Sequence, residues 1–166
     1  VQDRGPLPPA EAADLIAQAA AGLDHAHRAG WVHRDVKPAN LVVDPGGRVK
    51  VLDLGLARLS AGAGDELTAR LNANALMGTV DYMAPEQAVD SSAVDHRADV
   101  YSLGATFYFL LTGRPPFLGA TAAQKLLTRQ VRDPDPIRRL CPGIPEGMAA
   151  VLDRMLARYP AGRFQS

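Results

Sequence analysis

Residues 33–40 read His33-Arg34-Asp35-Val36-Lys37-Pro38-Ala39-Asn40. The stretch sets an acid, a cation two positions on and a carboxamide three further into one short loop. A second acid follows in Asp53-Leu54-Gly55. A carboxylate can orient an attacking hydroxyl, and a lysine can neutralise charge on a phosphate in transit. A carboxamide and a carboxylate together offer the hard oxygen ligands that magnesium prefers. Chemistry at a phosphate is the reaction class this set of side chains serves.

Outward from the loop, the sequence predicts its supports. Pro8-Pro9 starts a helix rigidly, and Leu15, Ile16, Ala19, Leu23 and Ala26 recur at helical spacing up to Gly30, a natural stop. Residues 42–51 are two β-branched stretches around Pro45-Gly46-Gly47, which predicts a short hairpin. The hairpin brings Asn40, before one strand, and Asp53, after the other, to one edge of a small sheet. Residues 57–74 are rich in Gly, Ala and Asn without periodicity, the pattern of a loop. Helical patterns resume at about 97–112, 121–130 and 146–157.

The motifs as a set resemble those of eukaryotic-like serine/threonine protein kinases of the bacterial type. Residues 33–40 resemble the catalytic loop H-R-D-x-K-P-x-N. Asp53-Leu54-Gly55 resembles D-F-G with Leu54 replacing Phe, and Ala84-Pro85-Glu86 the A-P-E that closes the activation segment. Gly78-Thr79-Val80-Asp81-Tyr82-Met83 resembles the loop that receives the substrate residue after the acceptor. Asp99-Val100-Tyr101-Ser102-Leu103-Gly104 resembles the start of the family's central buried helix, and Arg163 the arginine that pairs with the A-P-E glutamate. Lys37 and the Gly-Thr-x-x-Tyr-x-Ala-Pro-Glu context resemble the serine/threonine branch rather than the tyrosine branch. One triplet would be weak, but six motifs in order are specific.

The resemblance implies a mainly α fold with a small β-hairpin, the α+β carboxyl-terminal lobe of a kinase with the amino-terminal lobe absent. No G-x-G-x-x-G precedes residue 33, residues 1–30 hold no lysine, and the chain stops where the family adds a last helix. Residues 1–166 are therefore expected to form a partial kinase domain. Its catalytic loop would lie at 33–40, its activation segment at 53–86 and its central helix at about 97–112.

Roles follow by the same resemblance. Asp35 is expected to accept and orient the acceptor hydroxyl, with Lys37 on the transferred phosphate and Asn40 and Asp53 on Mg2+. Val42 is expected to form the lower surface against the adenine of ATP. Arg34 is the expected partner of a phosphorylated Thr68, and Thr79 is expected to hydrogen-bond near Asp35 and Lys37. His33, Glu86, Asp99 and Arg163 are expected to be structural, with Glu86 and Arg163 in one buried ion pair. Plainer readings exist for each. Asp35 or Asn40 could cap a turn, Lys37 could be a solvated cation, and Asp99 suits any helix start. The function expected is transfer of the γ-phosphate of ATP to serine or threonine hydroxyls of protein substrates. The alternatives are a non-catalytic pseudokinase or docking lobe, and an inactive truncated fragment. Against the pseudokinase, Asp35, Lys37, Asn40 and Asp53 are all intact.

Composition bounds what else the chain could do. In 166 residues, eighteen basic and eighteen acidic side chains cancel, which gives no field for nucleic acid or an anionic membrane. The single cysteine, Cys141, excludes an internal disulfide and suits a reducing cytoplasm. The most apolar run, Val100 to Leu111, is about half of a membrane span and is expected to be a buried helix. The expected location is cytoplasmic, including as the cytoplasmic part of a membrane-anchored protein.

Overall fold

The computed structural model describes residues 5–53, 78–90, 94–119 and 121–166, and the backbone of 58–59. Leu54, Gly55, Ser60 and Thr68, with the loop expected at 57–74 apart from the backbone of 58–59, lie outside the described residues.

Helix α1 spans Pro9–Arg28 and buries Ala12, Ile16, Ala19 and Leu23. These residues fall three or four apart, so a single apolar stripe faces inward. Pro8 and Pro9 pre-set the helical entry, and Gly30, at φ 80°, turns the chain out of it. Two short antiparallel pairings follow. Strand β1 (Trp31–Val32) pairs with β4 (Arg58–Leu59), and β2 (Leu41–Val43) pairs with β3 (Val49–Val51). The β2–β3 hairpin is the one expected. Its turn is fastened by Asp44, whose Oδ1 accepts hydrogen bonds from Gly46 N at 2.9 Å and Arg48 N at 3.0 Å. The β1–β4 pairing was not expected, because a two-residue strand is too short to show alternation.

Helix α2 spans Arg97–Thr112, and twelve of its sixteen residues are buried. It ends where Gly113 takes a left-handed conformation at φ 73° and donates its N–H back to Phe109. Helices α1 and α5 (Glu146–Met155) pack against it. At the α2–α5 crossing a Cβ on Gly104 would lie 2.8 Å from Met155 Cβ, so only glycine lets the two backbones approach this closely. Helix α3 (Ala122–Val131) starts on Thr121, whose hydroxyl accepts from Gln124 N, and α4 is the short Ile137–Leu140.

Helix α3 has an inverted pattern. Lys125 and Arg129 are buried, while Leu127 and Val131 stand 68% and 70% exposed. No helix among the described residues is long and apolar enough to cross a membrane.

Candidate active site

The loop at 33–40 is held from below by Asp99, near the start of α2. Asp99 is fully buried, and its carboxylate accepts the N–H of His33 at 2.8 Å and the N–H of Arg34 at 2.7 Å. His27, from the last turn of α1, places Nε2 2.8 Å from the same carboxylate. Helix starts favour an acid for electrostatic reasons, but here the carboxylate spends itself on another segment's backbone. His33 is also fully buried. Its Nε2 reaches the carbonyl of Leu52 at 2.9 Å, while the N–H of Asp35 approaches Nδ1 at 3.3 Å. One tautomer, with the proton on Nε2, satisfies both contacts. As expected, His33 packs and hydrogen-bonds beneath the site.

Above this base the polar side chains converge. Lys37 Nζ donates to Asp35 Oδ2 at 2.7 Å and to Thr79 Oγ1 at 2.8 Å. Asn40 Nδ2 donates to the carbonyl of Asp35 at 2.8 Å and to its Oδ2 at 3.2 Å. Asp35 and Asn40 are buried, and Lys37 is about one-fifth exposed. The 3-10 turn Pro38–Asn40 produces this arrangement by folding Asn40 back under Asp35.

The hairpin does what its position in sequence predicts. Leu52 N donates to Asn40 O at 2.8 Å, so the residue next to Asp53 is locked to Asn40. Asp53 is exposed, with φ 65°, a conformation rare outside glycine. The Asn40 amide nitrogen is committed to Asp35, and no described residue hydrogen-bonds its side-chain oxygen. Two oxygen donors at one hairpin edge fit a hard cation of the magnesium type. No group of three or more His, Cys, Asp or Glu side chains among the described residues forms a metal cluster.

Val42 stands 43% exposed, on the face of β2 opposite Leu41 and Val43. Leu41 and Val43 instead line a cavity of about 800 Å³, together with Lys37, Thr79 and residues of α1 and α2.

The segment carrying Thr79 is moored at several points. Lys125 Nζ donates to Asp81 Oδ1 at 2.5 Å, Arg129 Nη1 donates to the carbonyl of Met83, and Gln130 Nε2 to that of Pro85 at 2.7 Å. This explains the inverted helix α3, since its buried polar side chains are the moorings. Burial pushes the pKa of the Arg129 guanidinium down, and Phe117 lies beneath it at 5.7 Å. Glu86 and Arg163 are paired as expected, through two parallel bonds of 2.5 and 2.8 Å. Arg163 is fully buried and also donates to the carbonyls of Ala157, Arg97 and Arg158, while the Glu86 side chain keeps 24% of its surface exposed.

Three participants escaped the sequence reading. His27 shows only as a helix histidine. The Lys125–Asp81 pair lies across 44 positions, with no local pattern. Gln87 is a buried polar residue immediately after a motif, and that adjacency was the one available signal. Arg34 Nη2 donates to the carbonyl of Val94 at 3.2 Å, and its expected partner Thr68 is among the residues not described.

Comparisons with known proteins agree with this geometry. A family model described as protein kinase domain matches residues 1–165. The chain is 40% identical to serine/threonine-protein kinase PknB of Mycobacterium leprae over 166 residues, which is all of this chain and 26% of that protein. The Mycolicibacterium smegmatis protein of the same name is 39% identical, again across 100% of this chain and 26% of its own length. A probable serine/threonine-protein kinase PknB of Corynebacterium glutamicum is 37% identical over 170 residues, with the same shares. The fold and the site thus define a kinase-like domain. The chain belongs to the protein kinase domain family, and its relatives are bacterial serine/threonine kinases. It spans about a quarter of the length of those relatives.

Proposed function

We propose that this chain is the carboxyl-terminal lobe of a serine/threonine protein kinase that transfers the γ-phosphate of ATP to serine or threonine hydroxyls of protein substrates. The observation that carries the reading is the Asp35 carboxylate, bonded to Lys37 and Asn40 and backed by Thr79 through Lys37. Asp35 takes the hydrogen bond of the acceptor hydroxyl and aims it. Such positioning supplies much of the rate in phosphoryl transfer, where the protein has little covalent chemistry to do. Lys37 then serves two partners, holding Asp35 in the resting site and meeting phosphate charge as it develops. Thr79 keeps the lysine from swinging away.

Asn40 and Asp53 are the residues that would hold Mg2+, which when bound supplies charge neutralisation at the nucleotide phosphates. Val42 offers a bare apolar face to the adenine. Thr68 is the proposed regulatory phosphorylation site, with Arg34 as its partner.

Asp35→Asn in the full-length protein tests the central role. The expected result is a fall in turnover by orders of magnitude with nucleotide affinity nearly unchanged, because the side chain acts on the acceptor hydroxyl. Near-normal turnover would remove Asp35 from the mechanism.

A further inference from the structure

Arg34 sits at φ 66°, and it and Asp53 are the only non-glycine residues with positive φ among those described. Side chains rarely adopt this conformation, so surrounding structure must over-determine it. On the amino side the restraint is Asp99, which accepts the Arg34 N–H at 2.7 Å. On the carboxyl side it is Gln87. The Gln87 Nε2 donates to the Arg34 carbonyl at 2.9 Å, and its Oε1 accepts the N–H of Ala84 at 3.0 Å. Gln87 is only 6% exposed, and both ends of its carboxamide are in use.

The carbonyl that Gln87 grips belongs to the Arg34–Asp35 peptide. Rotation of that plane swings the Asp35 side chain directly. The other restraint on the same plane is weak, since the Asp35 N–H lies 3.3 Å from His33 Nδ1. Gln87 therefore holds the better of the two handles. It can grip only while Ala84 is in place, because a single planar carboxamide makes both bonds.

We propose that Gln87 is a positioning residue for Asp35, which keeps a strained peptide aimed and ties that aim to the fold of the Ala84-Pro85-Glu86 turn. The proposal rests on the role given to Asp35 above. Disturbing the turn would unseat the acid without any contact between the two.

The test is Gln87→Glu in the full-length protein. The change keeps the shape and the Ala84 contact, and replaces the donor toward Arg34 with an oxygen. A small misplacement of a reacting group costs up to roughly a hundredfold in rate. The expected result is a kcat lowered roughly tenfold to a hundredfold with the KM for ATP within about twofold, since Asp35 does not bind nucleotide. Backbone amide exchange across residues 33–36 should also accelerate by more than the global loss of stability, followed as the melting temperature, accounts for. If Gln87→Glu does not fold, Gln87→Met carries the same two measurements with the polarity removed and the length kept. A kcat within about twofold of the wild type, or unchanged exchange at 33–36, overturns the proposal. An inactive wild type overturns the kinase reading instead, and the exchange comparison then decides the Gln87 restraint separately.

Discussion

Tyr101 shows how one buried hydroxyl makes stability depend on pH. Burial pushes its pKa from the ordinary 10.0 up to about 12, against the pull of the nearby guanidinium groups of Arg129, Arg163 and Arg158. Arg163 stacks over the ring at 4.9 Å. The folded protein therefore resists ionisation that the unfolded chain permits. The contribution is complete below pH 10 and is lost as the pH rises toward 12. Thermal unfolding followed between pH 9 and pH 12 should show a falling melting temperature, and Tyr101→Phe should flatten that fall (the range is roughly the one over which a tyrosine titrates). Lys37 can be tested at the same scale through Thr79. Thr79→Val removes the acceptor at 2.8 Å and should lower turnover roughly tenfold, while Thr79→Ser restores most of it. If serine proves no better than valine in a steady-state phosphotransfer assay, the hydroxyl is not what holds Lys37.

At the scale of elements, much was legible because helices announce themselves by period and end signals. Pro8-Pro9 and Gly30 bracket α1, and the boundaries of α2 coincide with the expected 97–112. The β2–β3 hairpin was readable from β-branched runs around a Pro-Gly-Gly turn. What could not be read was which helix face turns inward when packing is polar. Leu127 and Val131 of α3 would have been placed in the core by any apolar-stripe rule. The structure buries Lys125 and Arg129 instead, because the carbonyls and the carboxylate of residues 81–85 need donors. Lys125→Met should thus weaken the segment bearing Thr79 more than it weakens α3. Proteolysis should reach residues 78–84 before it reaches 122–131, and the reverse order would show that Lys125 serves only its own helix. Gly104 makes the complementary test at the α2–α5 crossing. Overpacking of this kind typically costs about 1–3 kcal/mol, so Gly104→Ala should destabilise by that amount in denaturant unfolding.

Over the whole molecule, the Glu86–Arg163 pair joins points 77 positions apart. Its existence was readable by resemblance, whereas the three carbonyls that saturate the guanidinium were not, since backbone acceptors leave no mark in a sequence. Breaking a buried pair costs about 3–5 kcal/mol, and the lower end applies here because Glu86 keeps some solvent. Arg163→Met should lose that much in urea unfolding. Arg163→Lys should recover little, because an ammonium cannot reproduce the planar fork. Full recovery by lysine would reduce the interaction to simple charge.

That pairing also orders events during synthesis. Asp99 can seize the loop at 33–40 as soon as α2 has formed, whereas Glu86 must wait for Arg163, which is synthesised well after α2. A chain growing from its amino end at about 5–20 residues per second would set its acid-bearing loop before its A-P-E turn. For several seconds, the nascent chain would carry its acid-bearing loop anchored on Asp99 but without the seated A-P-E turn through which Gln87 aims Asp35.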